Sequence, residues 1–118
     1  MKFLKTYKLF ESNNPIEPQI DDYVLCEVEG YHYTVTDFIK LNIGKIVDYD
    51  YITYQSETIK RYTIEWKNIP SSLASYFFDT KYPYDGFGKM ALPINYIKHY
   101  SKDINELLPM IKANKYNI

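Results

Sequence analysis

IGKIVDYDYITYQSETIKRYTIEWKNIP, residues Ile43 to Pro70, is the stretch that decides the fold of this chain. In its second half Tyr62, Ile64 and Trp66 alternate with Arg61, Thr63, Glu65 and Lys67, giving one large apolar face and one charged face. A period of two over that length belongs to a strand buried on one side only. The first half runs from Asn42 through Ile46, Val47, Tyr49, Tyr51 and Ile52 to Tyr54, residues that favour a pleated surface. Gln55-Ser56-Glu57 interrupts the pattern, so a long two-stranded hairpin is predicted. Its second arm reads as scaffold, with Tyr62, Ile64 and Trp66 inward. Its first arm is ambiguous: Ile46 and Val47 are adjacent and cannot both face one core, and simple alternation puts Asp48 and Asp50 on the face of Ile46 and Ile52. If the terminal segments leave that arm uncovered, Tyr49 and Tyr51 become a binding surface.

The rest of the chain is read around this hairpin. With 118 residues, 46% of them apolar, it suits one domain with one core. No run reaches the roughly 18 apolar residues of a membrane span, and lysines interrupt the opening MKFLKTYKLFE where a signal peptide needs an apolar stretch. A cytoplasmic protein with no membrane association is expected. Cys26 is the single cysteine, and only His32 and His99 stand beside it as soft ligands, so neither a disulfide, a metal site nor a cofactor is expected. Ile, Tyr, Lys, Asn and Phe dominate, with one arginine. Their codons are AT-rich, which points to a phage, a large virus or a low-GC bacterium. The first ten residues carry three lysines and no acid, residues 11–66 carry eleven acids against four bases, and residues 67–118 carry seven lysines against four acids. The strand-bearing middle is therefore a poor surface for phosphates.

Lys2 to Glu11, with Phe3, Leu4, Tyr7 and Phe10, reads as a short amphipathic helix or edge strand docked on the body, followed by a loop through Pro15 and Pro18. Ile20 to Val28 is a predicted strand with Val24, Cys26 and Val28 inward, which makes Cys26 a small buried hydrophobe. Tyr31 to Thr36 reads as a loop, with Thr36 or Asp37 capping a single helical turn through Leu41. After Pro70, Ser71 or Ser72 caps a turn or two through Phe77. Asp79 to Gly88 is the longest predicted loop and the leading contact candidate. Lys89–Leu92 and Ile94–Lys98 are closing strands broken at Pro93. Ser101 or Asp103 then caps a helix with Ile104, Leu107, Leu108 and Ile111 inward and a kink at Pro109.

The order Asp22-Tyr23-Val24-Leu25-Cys26, then Ile43-Gly44-Lys45-Ile46-Val47, then Tyr62-Thr63-Ile64-Glu65-Trp66 resembles the opening of a small SH3-like barrel of the Tudor or KOW kind. The resemblance covers roughly residues 20–100, with Asp21 standing where that pattern often has a glycine. The chain is also similar to short uncharacterised proteins of AT-rich phages and large viruses. The resemblance implies a mainly β, α+β fold: a barrel of about five strands over 20–100, a C-terminal helix over 101–118, and residues 1–19 packed on them. Barrels of this type bind peptides, methyl-lysine or nucleic acid, so fold transfers further than function.

No nucleophile-base arrangement, dinucleotide motif or phosphate cradle is present. Asp48 and Asp50 are the one pair of acids placed to act together, and a non-enzymatic binding module is expected. Its candidate contact residues for a partner protein are Tyr31, Tyr33, Tyr49, Tyr51, Tyr82, Tyr84 and Phe87, since aromatic side chains anchor such surfaces. The alternative is a nucleic-acid binder that stacks bases on the same aromatics and holds phosphates with Lys81, Lys89, Lys98 and the terminal lysines.

Overall fold

The structure, a computed structural model, describes residues 17–116. The amphipathic reading of Lys2 to Glu11 lies outside the described residues. Strands β1 (Tyr23–Cys26), β2 (Gly44–Tyr54), β3 (Glu57–Trp66), β4 (Gly88–Pro93) and β5 (Ile97–Ser101) form one sheet in the order β4-β3-β2-β1-β5. Every neighbouring pair is antiparallel. Helix α1 (Tyr33–Leu41) crosses between β1 and β2, and α2 (Leu108–Tyr116) is the last element of the described residues. The class is α+β as expected, with five strands and a C-terminal helix. The sheet itself is open: β4 and β5 end the strand order, and no pairing joins them among the described residues.

The hairpin turns on Gln55 and Ser56, at φ 50° and 67°, with Tyr54 paired to Glu57. Two left-handed residues between directly paired strand ends make the turn whose twist matches that of the strands. One extra residue, Val47, lies between the paired positions Ile46↔Ile64 and Asp48↔Thr63. This bulge resolves the ambiguity of the first arm, because an extra residue reverses which face each later side chain occupies. Ile46 faces the core, and beyond the bulge Tyr49 and Tyr51, not Asp48 and Asp50, continue on its face.

That inner face holds the core. Val24, Cys26, Ile46, Tyr62, Ile64, Trp66, Met90 and Leu92 are all buried there, covered by Val35 and Ile39 of α1 together with Ile69, Leu73 and Phe77. Gly44 lies against Trp66 so closely that a Cβ would come within 2.9 Å of the indole and 2.5 Å of Ile64 Cγ2. The indole N–H donates to the Asn42 carbonyl at 3.3 Å, which satisfies the buried ring. Burial pushes the Cys26 thiol up to about 12, the behaviour of an inert core residue.

Several boundaries differ from the sequence reading. The helix over Asp37–Leu41 begins earlier, at Tyr33, and its N-cap is His32, whose Nδ1 accepts from the Thr34 amide at 3.3 Å. Val35 and Ile39, four apart and both buried, make that first turn worth forming. Ser101 ends β5 instead of capping a helix; its buried hydroxyl donates to Glu106 and accepts from the Asp103 amide. Asp103 caps the short 3₁₀ turn Ile104–Glu106. Pro109 falls at the second residue of α2, where a missing N–H disturbs no helical bond, so no kink arises.

Candidate interaction site on the hairpin

Past the bulge the hairpin outruns its neighbours. β1 pairs with β2 only at Gly44 and Lys45, with Asp21 and Asp22 extending the contact to Ile46, and β4 reaches along β3 no further than Arg61↔Pro93. The distal half therefore projects from the sheet as a two-stranded ribbon. On its inner face Tyr49 and Tyr51 are 44% and 61% exposed, with ring centroids 6.0 Å apart in an edge-to-face arrangement.

Lys60 organises this face. Its Nζ lies 4.4 Å from the centre of the Tyr49 ring and 5.1 Å from that of Tyr62. The same nitrogen donates to Glu17 Oε1 at 2.7 Å, and the Tyr62 hydroxyl donates to that oxygen at 3.3 Å. The bond from Lys60, followed by its charge, holds the Glu17 carboxyl below its ordinary range. Glu17 in turn raises Lys60. The cation is thus shared between two aromatic faces and a carboxylate, and the tyrosine row is left as the open contact surface. Beside it, where β4 stops and β3 continues, a groove of roughly 290 Å³ runs past Ile59, Pro93 and the exposed Ile94.

The opposite, more polar face of the ribbon carries Asp48, Asp50 and Arg61 beside Ile52, Tyr54 and Ile59. Arg61 grips Asp50 with two bonds, Nε to Oδ1 at 3.1 Å and Nη2 to Oδ2 at 2.7 Å, and so lowers the Asp50 carboxyl. The Asp48 carboxylate accepts from the neighbouring Tyr49 amide at 2.8 Å. Asp48 and Asp50 do share a face, but both are exposed and each is already engaged by a different group. Arg61 pulls Asp50 towards the ionised form, the opposite of what a general acid needs.

The seven candidate contact residues are not brought together. Tyr49 and Tyr51 form the hairpin row. Tyr31 and Tyr33, 39% and 69% exposed, stand at the start of α1 beside His32, whose ring centre is 4.6 Å from that of Tyr33. Tyr82, fully exposed, and Phe87 lie on the 79–88 loop, and Phe87 lines a polar hollow with Glu65, Asp79 and Lys89. Tyr84 turns inward: its hydroxyl donates to the Ile69 carbonyl at 2.6 Å and its ring packs on the core. Glu17, Lys60 and Ile94 belong to the hairpin site and were not singled out from sequence. The signal for Lys60 lies in the pattern, since strand alternation sets residue 60 on the face of Tyr62 and a two-residue turn at 55–56 sets it opposite Tyr51.

The described cations of the sheet are largely neutralised. Lys45 faces Asp21 at 3.8 Å, Lys89 faces Asp79 at 3.0 Å and Lys102 faces the buried Asp22 at 2.5 Å, besides the Lys60 and Arg61 pairs. The lysines of the first ten residues lie outside the described residues. Among the described residues no group of three His, Cys, Asp or Glu is placed to hold a metal ion, and no helix is long and apolar enough to cross a membrane. No protein-family model, curated protein or solved structure matches the chain.

Proposed function

We propose that this chain is a non-enzymatic, cytoplasmic protein-binding module that presents the inner face of its projecting hairpin to a partner protein. The observation that carries this reading is the exposed Tyr49–Tyr51 row on a ribbon whose cations Lys60 and Arg61 are paired with Glu17 and Asp50 of the same chain. Rigid tyrosines give contact area at low entropic cost, whereas phosphate recognition needs cations free to replace counterions. The meander β2–β3–β4, with β5 returned onto β1, supports a kinship with SH3-like barrels despite the open sheet. The residue usage fits a phage or viral accessory protein, whose partner would be a virion component or a host defence factor.

The test uses the native chain and a Tyr49→Ser, Ile94→Ser variant as baits in lysate of a candidate host, alongside a labelled single-stranded oligonucleotide titrated at low and high salt. The expected result is a protein retained by the native bait and lost by the variant, with no oligonucleotide binding at low salt. Oligonucleotide binding that falls steeply with salt, without a retained protein, overturns the proposal in favour of nucleic acid.

A further inference from the structure

We infer that the free edge of β2 pairs antiparallel with the same edge of a second copy of the chain, on a two-fold axis at Tyr51. Tyr54 and Glu57 flank a two-residue turn and so bond to one another, which makes Tyr54, Ile52 and Asp50 point their backbone groups at β3. Tyr49, Tyr51 and Thr53 then point theirs away from it. The Tyr49 amide finds its acceptor in Asp48 Oδ1, as that direction requires. No hydrogen bond from β1 or any other described segment reaches the outward groups of Tyr51 and Thr53.

The other edges of the sheet are guarded in the ways that block edge-to-edge association. β4 ends in Pro93, and Phe78 bridges Lys89 on its outer side. β5 is short, carries Lys98 and His99, and meets β1 across a register shift. The distal edge of β3 presents Lys60. Only the β2 edge offers consecutive outward positions of high strand propensity with neither proline nor lysine, among the described residues.

The occupant is a second copy because the edge complements itself. With Tyr51 opposite the second copy's Tyr51, each donates to the other's carbonyl, and Thr53 donates to the second copy's Tyr49 carbonyl without disturbing the Asp48 bond. On the polar face Asp50 lies opposite Ile52 and Asp48 opposite Tyr54, so no carboxylate faces another. On the inner face the two tyrosine rows become continuous. Tyr54, 63% exposed, gains cover.

The native chain is expected to sediment as a dimer that dissociates on dilution. Tyr51→Lys and Tyr51→Glu, each alone, set like charges on the axis and weaken the dimer by about tenfold or more, a cost of ~1.4 kcal/mol; mixed in equal amounts, they recover it as a heterodimer. Under oxidised glutathione Tyr51→Cys forms a disulfide-linked dimer, because directly opposed bonded residues sit about 5.5 Å apart at Cα. Ile52→Cys, displaced by two positions from its counterpart, does not, and the buried Cys26 takes no part. Single-tryptophan fluorescence confirms that each variant is folded. A native chain that stays monomeric at high concentration, a dimer indifferent to both Tyr51 charges, or cross-linking by Ile52→Cys in place of Tyr51→Cys overturns the proposal.

Discussion

Gly44→Ala adds one methyl group, and its consequence can be worked out from the two side chains it would meet. The new carbon would stand 2.5 Å from Ile64 Cγ2 and 2.9 Å from Trp66 Cε2. Carbon atoms rest at about 3.5–4.0 Å, so the contact with Ile64 is short by about 1 Å. Neither neighbour can retreat cheaply, since Ile64 and Trp66 are 0% and 1% exposed and close-packed on their far sides. Gly44 has no left-handed backbone, so the cost comes from packing alone. Overpacking of this kind costs about 1–3 kcal/mol. The stiffer unfolded chain returns about 0.4–1 kcal/mol. A net loss of about 1–2 kcal/mol lowers the urea midpoint by roughly 0.5–1 M at an ordinary m-value, with m unchanged. Trp66, the only tryptophan, reports the transition directly. Ile64→Ala alone costs about 2–5 kcal/mol. Because it removes the clashing Cγ2, the double variant should be more stable than the sum of the single losses by about 1 kcal/mol. A Gly44→Ala chain as stable as the native one, or strict additivity with Ile64→Ala, refutes this account of the contact.

Three further outcomes follow from other parts of the structure. The Glu17 carboxyl should titrate below the ordinary glutamate range in a carbon-13 NMR titration and return to it in Lys60→Met. Because its folded pKa is depressed, the stability it contributes is present above the unfolded value and is lost as pH falls through the folded one. Cys26 should resist alkylation until the chain unfolds. Its raised pKa means stability is intact below the ordinary thiol value of 9.0 and declines between there and about 12, which denaturant melts across alkaline pH would show. Asp22 is 1% exposed and accepts from the Gln19 amide at 2.9 Å as well as from Lys102. Asp22→Ala should therefore cost about 1–3 kcal/mol in chemical denaturation, from the stranded amide and the lost ion pair.

The hairpin shows why part of the site was legible in the sequence and part was not. The alternation of Tyr62, Ile64 and Trp66 is a local property of one strand, and burial of those three follows from it. The direction of Tyr49 and Tyr51 depends on Val47 being skipped in the pairing, and nothing local to Val47 records that skip. The bulge exists because Ile46 must reach the core opposite Ile64 while the later residues keep step with a turn at Gln55 and Ser56. Two distant constraints one residue out of phase can be reconciled only by an extra residue between them. Tyr84 shows the same limit from the other direction: its place in an aromatic loop suggests a contact residue, and the Ile69 carbonyl, fifteen residues away, claims it for the fold.

By itself, then, the sequence determined what short-range periodicity can encode: the α+β class, the long hairpin, the inward faces of β1 and β3, Cys26 as a core residue and the absence of a recognisable catalytic motif. Tertiary structure alone decided that the sheet stays open, that the hairpin outruns β1 and β4, and that Glu17 and Lys60 meet across the sequence over two tyrosine rings. The physical reason is the range of the interactions. Strand periodicity and turn chemistry act between residues a few positions apart, whereas strand register, edge coverage and ion pairing depend on where separate elements stop against one another.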